Sequence, residues 1–348
     1  MSRRAAPPAS GTAGAGGPTP PSRLRRRMAV ASLLSAVGWP VLAQTPAAGT
    51  FPSRPVRIIV PYAAGGPSDH VTRLIAARMP DRLGAQVVVE NREGANGAIG
   101  MEYAARQPAD GYTLVMFSQG GSVFNSLLKD KLAYDLLRDF RAVGNMVVYS
   151  SGAVIHPSIP ARTLPELIAH ARANPNKLSF GSSGVAGTPH LVGEMFMAQT
   201  GVQMTHVPYK GLAPANVDLV AGRIQLVFTE VGGVADFVRQ GKLRVVAGMG
   251  GQRLLLMPEV PTAAEQGLPN LRVDGWYGLQ VPAATPAPLV ARLNEALVHA
   301  LQHPDTRAAL EKYGMVPDPG PAEAFDRVVR EEMARWGAVI KAANIKIQ

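Results

Sequence analysis

The chain has 348 residues, of which 47% are hydrophobic and 17% charged, so it has the composition of a globular protein with room for one large or two ordinary domains. The formal net charge of +10 is concentrated at the start, because the first 43 residues hold six arginines and no acidic residue, which leaves 29 basic and 25 acidic residues elsewhere. No dense stripe of lysine and arginine with neighbouring aromatics occurs, which excludes a nucleic-acid partner. The absence of cysteine excludes disulfides and thiolate metal sites.

Residues 1–43 are predicted to be a low-complexity extension followed by a signal peptide. RLRRR (23–27) is a positive segment, and MAVASLLSAVGW (28–39) is an apolar core too short to span a bilayer. VLA (41–43) predicts cleavage near Ala43 and Gln44, with the Sec and Tat routes both open. The alternative is a surface helix. Export without an anchoring cysteine predicts a periplasmic protein.

From Phe51 onward, short apolar strands alternate with amphipathic helices, which predicts βαβ units and a parallel sheet covered on both faces. Helices are expected after each of the first strands, among them 188–200 and 214–221, and three follow the last strand. Trp336 lies on the apolar stripe of the final helix and is expected in the core. Strands are predicted at 56–60, 86–90, 112–117, 152–156, 178–180, 204–207, 224–228, 243–249 and 276–282.

Two stretches look irregular, at 146–153 and 270–278, and are predicted to be crossings between two α/β halves. Paired crossings make the first half discontinuous, so lobe 1 is expected to comprise 51–149 and 274–348, and lobe 2 to comprise 150–273. Two lobes joined in this way form a hinge, and a hinge implies a cleft that closes on a ligand.

The strand at 56–60 ends in PYAAGGPSD, which predicts an anion-binding turn. Gly65 and Gly66 leave backbone N–H groups uncovered, and Ser68 or Asp69 can cap the next helix. A helix N-terminus offers free N–H donors and partial positive charge. A plain strand-to-helix turn is the alternative.

SFGSSGVAGTPH (179–190) repeats this arrangement in the second half. Ser182, Ser183 and Thr188 supply hydroxyls, and Gly184 bares the backbone. The spacing fits neither a nucleophile elbow nor a P-loop. One such loop in each lobe predicts a cleft lined from both sides. His190 is a candidate to orient the second loop, and a purely structural histidine is the alternative.

Two further segments contain residues that could line the cleft. FSQGGSVFN (117–125) is a third Gly/Ser turn, in which Ser118 can line the same cleft. HVPYKG (206–211) offers His206 and Tyr209, but no carboxylate partner for acid–base chemistry is evident. The dispersed histidines show no metal-ligand spacing. We therefore expect no catalytic residues, no metal and no cofactor.

Several blocks together, among them FPSRPVRIIVPYAAGGPSD, VVVENREGANGAIG and HVPYKGLAPANVDLVAGRIQLVF, resemble the Bug-type substrate-binding proteins of tripartite tricarboxylate transporters. The resemblance covers 51–346. It implies a type II periplasmic binding protein with two Rossmann-like α/β lobes, a two-strand hinge and Venus-flytrap closure. It also implies a monomeric receptor without enzymatic activity that presents a carboxylate to transporter membrane subunits.

In the family, backbone amides, hydroxyls and ordered waters hold the carboxylate. The resemblance puts the first binding loop on Ala63 to Asp69 and the second on Ser182 to Thr188. The chain departs from the family pattern at Glu93, Ser150–Ser151 and Glu230. Glu230, if it approaches the pocket, disfavours highly anionic ligands or recruits an amino group. The ligand-binding residues expected are Tyr62, Ala63, Ala64, Gly65, Gly66, Ser68, Asp69, Ser118, Ser182, Ser183, Gly184, Thr188, His190, Tyr209 and Glu230.

Three alternatives stay open. One is a receptor for aromatic carboxylates, with Tyr62, Phe117, Tyr149 or Tyr209 lining the wall. Another is a binding protein coupled to a sensor. A third is a secreted α/β hydrolase, for which no nucleophile and base with recognisable spacing are present.

Overall fold

The computed structural model describes residues 51–129 and 131–342, which belong to one compact unit. The predicted extension and signal peptide lie outside these residues. The strands are β1 (Val56–Val60), β2 (Val87–Asn91), β3 (Thr113–Ser118), β4 (Phe140–Ile155), β5 (Ser179–Ser182), β6 (Thr205–Pro208), β7 (Leu226–Glu230), β8 (Arg244–Gly248), β9 (Asp274–Pro282) and β10 (Met315–Pro317).

The helices confirm the predicted alternation of strands and helices. Helix α6 has the predicted bounds, and three helices follow β9 as expected. The helices are α1 (Pro67–Ala76), α2 (Pro80–Leu83), α3 (Ala98–Ala105), α4 (Asn125–Leu128), α5 (Leu164–Ala173), α6 (Thr188–Thr200), α7 (Leu212–Val220), α8 (Ala235–Arg239), α9 (Ala287–Gln302), α10 (Pro304–Lys312) and α11 (Ala322–Ala342). A π-helical turn, Gly120–Phe124, leads into α4.

The strands form two α/β halves that share β4, in the order β2-β1-β3-β9-β4-β7-β5-β6. In the first sheet, β1 pairs in parallel with β2 and β3, and in the second sheet β5 pairs in parallel with β6 and β7. β4 instead pairs antiparallel with β7, β8, β9 and β10. The expected parallel sheet is thus correct only for the βαβ portions, and the joining region is antiparallel.

The prediction that 146–153 is irregular is wrong, because this stretch lies inside the continuous strand β4. The first part of β4 pairs with β9 from Phe140 to Ser150, and its last part pairs with β7 from Ser151 to Ile155. The strand therefore keeps backbone partners along its length while it passes from one sheet to the other. The register of β4 shifts at two places in its pairing with β9 and at one place in its pairing with β8.

The core is apolar on both sides of the shared strand. Helix α11 packs against β4 and against the Gly120–Phe124 turn. Trp336 is 1% exposed, and its ring meets Phe124 edge-on with centroids 5.0 Å apart, which confirms the predicted core position. This packing fixes the turn after β3 against the first lobe, where it contributes to the site described next.

Candidate functional site

A pocket lies where the carboxyl ends of strands from both sheets meet, with about 460 Å³ of space, including the solvent at its mouth. Its floor and walls come from the loops after β1, β3 and β5, from the starts of α1, α6 and α7, and from β4, β7 and β9. The lining residues are Tyr62, Ala63, Gly66, Pro67, Ser68, Ser118, Gly120, Tyr149, Ser151, Ser183, Thr188, Pro189, Leu212, Glu230 and Tyr277.

The loop after β1 is held in shape by Asp69. The expectation that the N–H of Gly65 is uncovered is wrong, because Gly65, which has φ +80°, donates to Asp69 Oδ2 across 2.9 Å. Arg73 and Asn91 donate to the same carboxylate. Burial alone would raise the pKa of Asp69, but the hydrogen bonds from Arg73, Gly65 and Asn91 outweigh it and lower the pKa. Asp69 is therefore a charged anchor for the loop.

The expectation that Ser68 or Asp69 caps α1 is wrong. The N-cap is Gly66, and Pro67 and Ser68 already lie in the first turn of the helix. Helix α6 likewise has a glycine N-cap, Gly187, and in neither helix does a side chain cap the backbone. Both helices thus present first-turn N–H groups at the pocket without a side-chain acceptor, which is the arrangement that binds anions.

The two lobes touch around the pocket. The N–H of Ala63 donates to the carbonyl of Lys210 across 3.1 Å, and Ser183 Oγ donates to Asn96 Oδ1 across 3.4 Å. Lys210 Nζ also lies 3.4 Å from Glu93 Oε1, an exposed ion pair. A Cβ added to Gly120 would lie 2.6 Å from the backbone N of Thr188, so the two backbones meet where a side chain has no room.

Tyr62 and Ser118 form a hydroxyl pair in the wall of the pocket. Their oxygens lie 2.6 Å apart, and the N–H of Gly121 donates to Ser118 Oγ across 3.1 Å. Burial raises the pKa of Tyr62, so its hydroxyl stays neutral. The loop after β1 and the end of β3 therefore supply polar but uncharged groups.

Glu230, Tyr277, Tyr149 and Ser151 form the side of the pocket built from β7, β9 and β4, which we call the carboxyl wall. The Tyr277 hydroxyl donates to Glu230 Oε1 across 2.7 Å, and the rings of Tyr149 and Tyr277 lie 4.7 Å apart. Glu230 is 4% exposed, and burial raises its pKa despite the hydrogen bond from Tyr277. Its other oxygen, Oε2, is buried and has no hydrogen-bond partner.

A stacked histidine pair supports the loop after β5. The rings of His190 and His206 lie 3.8 Å apart and nearly parallel, and His206 Nε2 lies 2.6 Å from Ser182 Oγ. Burial, together with the neighbouring His190, lowers the pKa of His206 to about 3. His190 Nδ1 accepts the N–H of Ala186 across 3.2 Å, so His190 contacts the second loop at Ala186, while the contact with Ser182 comes from His206.

The Ser182–His206 contact is not a catalytic dyad. Ser182 is fully buried and does not line the pocket. Its hydroxyl is also engaged by Gly184, whose N–H donates to Ser182 Oγ across 3.1 Å. The pair therefore shapes the turn that carries Ser183 into the pocket.

The structure brings eight of the predicted residues to the pocket wall: Tyr62, Ala63, Gly66, Ser68, Ser118, Ser183, Thr188 and Glu230. The other seven are not among the lining residues. Four of them, Gly65, Asp69, Ser182 and Gly184, hold the two loops in shape. Ala64 is exposed, and Tyr209 donates to Asp218 across 2.8 Å. The role of these residues in ligand binding stays a prediction.

The sequence reasoning missed Tyr277, Ser151, Leu212, Gly120 and the two prolines that start the helices. A signal for Tyr277 and Ser151 was present, because both lie on strands expected to cross between the lobes, where alternate residues must face the cleft. Of the aromatic candidates, Tyr62 and Tyr149 line the pocket. Phe117 packs in the core against Phe140, with ring centroids 5.1 Å apart.

Within 51–129 and 131–342, no group of three or more His, Cys, Asp or Glu side chains is placed to hold a metal ion. In that same part of the chain, no helix is long and apolar enough to cross a membrane. Glu230 is also the one acidic or basic side chain among the described residues that line the pocket.

Comparison with known proteins shows what this architecture resembles. The model of the TctC family, described as the tripartite tricarboxylate transporter family receptor, matches residues 71–345. The periplasmic binding protein BugD is 32% identical, with a TM-score of 0.82, over 86% of this chain and 100% of BugD.

Two further solved structures are similar and hold ligands. Rpa4515 of R. palustris, with adipate, is 34% identical with a TM-score of 0.82, over 85% of this chain and 99% of that protein. MatC of Rhodopseudomonas palustris, with bound malate, is 31% identical with a TM-score of 0.80, over 83% of this chain and 100% of MatC. The predicted two-lobe periplasmic binding protein fold is therefore confirmed.

Proposed function

The chain belongs to the TctC family of tripartite tricarboxylate transporter receptors, a solute-binding family without enzymatic activity, and from this premise we propose that it binds a small organic carboxylate between its lobes. We further propose that it acts in the periplasm and presents the ligand to the membrane subunits of a tripartite tricarboxylate-type transporter. Adipate and malate in the two similar proteins support a carboxylate ligand.

The observation that carries the proposal is the convergence of α1 and α6 on the pocket. Each helix begins at a glycine N-cap without a side-chain cap, so the first-turn N–H groups, which are missing only at Pro67 and Pro189, are free to donate to a carboxylate. A hydrogen bond to a charged group contributes about 1.5–3 kcal/mol. Ser183, Thr188 and Ser118 add hydroxyls around the same space. Such a site holds a carboxylate without an arginine or lysine.

Closure is proposed to occur by rotation of 150–273 against 51–149 and 274–348. The change of partner along β4 supports this division, because Ser150 pairs with Asp274 in the first sheet and Ser151 pairs with Glu230 in the second. The contacts between Ala63 and Lys210 and between Gly120 and Thr188 then belong to the closed form.

A receptor for aromatic carboxylates is the second candidate. It is favoured by Tyr62, Tyr149 and Tyr277, whose side chains line the pocket. An aromatic ring of the ligand can stack on such a wall. Coupling to a sensor in place of a transporter is a further alternative for the same binding activity.

The test is thermal unfolding of the exported form, which starts near Gln44, with di- and tricarboxylates, acidic amino acids and aromatic acids. A ligand at 100 times its Kd adds about 2.7 kcal/mol, which raises the Tm by several degrees for a chain of this size. A shift confined to one class of acid supports the receptor and identifies the class.

Two outcomes contradict the proposal. One is turnover of a candidate acid by the purified protein, which would indicate an enzyme. The other is the absence of any shift in protein that mass spectrometry shows to be free of a retained small molecule. A monomer on size-exclusion chromatography with light scattering is expected in all conditions.

A further inference from the structure

The carboxyl wall carries a feature that binding of a simple carboxylate does not use. Glu230 Oε1 accepts from Tyr277, and Glu230 Oε2 is buried without a hydrogen bond, although the Tyr149 hydroxyl lies close to the same carboxyl. A buried polar atom without a partner is costly, and native structures pair such atoms with protein, water or ligand. Because Glu230 lines the pocket, the missing partner can come from the ligand.

The surroundings of Glu230 supply no positive charge. The titratable groups near it are Tyr62, Tyr149, Tyr277 and Tyr313, and burial raises the pKa of each tyrosine, so all four stay neutral. Among the described residues of the pocket lining there is no lysine, arginine or histidine. A second carboxylate on the ligand would therefore meet a like group in a water-poor space.

The two ends of the ligand have different partners in this arrangement. The starts of α1 and α6 are donors and suit a carboxylate. Glu230 Oε2 comes from β7 and is an acceptor. A ligand that satisfies both must carry a carboxylate and, on another carbon, a group that donates.

We propose that Glu230 makes the pocket selective for carboxylic acids that carry an amino group, with the ammonium donating to Glu230 Oε2. The inference rests on the proposed function and narrows it to amino acids and related zwitterions. Burial disfavours the charged form of Glu230 when no cation is near. An ammonium supplies both the donor for Oε2 and the positive charge that favours the carboxylate form, whereas a hydroxyl supplies only the donor.

The experiment measures binding by calorimetry for straight-chain acids of three to six carbons, each as the plain acid, its amino derivatives and the dicarboxylic acid. Wild type, Glu230→Gln and Glu259→Gln are compared. The amide of Glu230→Gln keeps the size of the side chain and can still accept from Tyr277. Glu259 is exposed and does not line the pocket, so Glu259→Gln removes a carboxyl from the surface. Tm without ligand shows that each variant is folded.

We expect at least one amino acid to bind wild type about tenfold or more tightly than its plain and dicarboxylic counterparts. Glu230→Gln is expected to abolish this preference, and Glu259→Gln to keep it. Glu230→Asp, which retains the carboxyl but withdraws it by one methylene, is expected to weaken the preference without removing it.

Two results overturn the inference while leaving the receptor intact: a dicarboxylic acid that binds wild type most tightly, or an amino-acid preference unchanged in Glu230→Gln. If no acid of any form binds wild type, the proposed function itself fails together with the inference. The readouts therefore distinguish the two failures.

Discussion

The hydroxyl of Tyr277 donates to Oε1 of Glu230 across 2.7 Å, and the bond joins β9 of the first sheet to β7 of the second. The two residues lie 47 positions apart in the chain. They meet because β4 pairs with both strands, on either side of the point where it changes sheets. The bond thus places a buried carboxyl at the junction of the lobes.

Burial raises the pKa of Glu230 above its ordinary value of 4.5, so the folded protein holds this proton more tightly than the unfolded chain does. The stabilisation is complete below pH 4.5 and is lost as the pH rises through the raised pKa. We expect wild type to lose stability relative to Glu230→Gln as the pH increases from 4.5. Urea unfolding at a series of pH values measures the difference.

Glu259→Gln is the control for this titration because Glu259 is exposed. Its stability over the same range gives the effect of removing an exposed carboxyl, against which the effect of Glu230→Gln is compared. A difference between wild type and Glu230→Gln that does not change with pH would show that Glu230 titrates alike in both states.

The pKa of His206 is shifted in the opposite direction, from 6.5 to about 3, mainly by burial. The unfolded chain therefore binds a proton that the folded protein does not, and this contribution to stability is present above pH 6.5 and lost as the pH falls toward 3. We expect wild type to lose more stability than His206→Gln over this interval. The exposed His299 provides the control variant His299→Gln.

The measurement is again urea unfolding, taken from pH 7 downward. Equal losses in wild type and His206→Gln would mean that His206 is protonated in the folded state. Because His206 contacts Ser182, ligand affinity is expected to fall together with stability in acid.

Gly66 occupies the N-cap of α1 with φ −81°, a conformation open to any residue, and an added Cβ would meet its nearest neighbour at 3.5 Å. Gly66→Asp is expected to keep the Tm because aspartate is a favourable N-cap. It should reduce carboxylate affinity about a hundredfold, since its charge and its oxygen compete for the helix N–H groups. Gly66→Ala is the matched control, and equal affinities in the two variants would contradict an anion site here.

A substitution of Gly120 tests whether ligand binding requires the two lobes to close. A Cβ at this position would lie 2.6 Å from the backbone N of Thr188, so Gly120→Ala is expected to hold the lobes apart. The variant should bind ligand at least about tenfold more weakly, and small-angle scattering should show a larger radius of gyration with ligand than wild type does. In Gly337→Ala, the new Cβ meets Leu127 at an ordinary 3.6 Å, and both readouts should match wild type.

The local parts of the fold were predictable. The apolar run 56–60 and the start of α6 at Thr188 follow from periodicity and from Gly, Pro and Thr at the boundaries. The continuity of β4 was not predictable, because Ser150 and Ser151 weaken the strand pattern locally while pairing with β9 and β7 stabilises it.

Part of the candidate site was likewise predictable from the sequence, and part was not. The two loops at 63–66 and 182–188 could be predicted from the sequence, because a loop that exposes its backbone to a ligand requires glycine. The partner of Glu230 is not, since Tyr277 reaches it only through the register of strands distant in sequence. The His206 contact with Ser182 was missed for the same reason, as β5 and β6 pair in parallel with Ser182 beside Pro208.

The pocket draws its donors from backbone on the loop side and its side chains from β4, β7 and β9 on the other. Substitutions of Ser151, Tyr149 or Tyr277, which lie on β4 and β9, can therefore reshape the far wall while the helix N–H groups stay in place. For protein engineering, the carboxylate-binding helix starts can therefore stay unchanged while the opposite wall is varied. A library of variants at these three positions can change which acid is preferred without changing the residues at which the lobes meet.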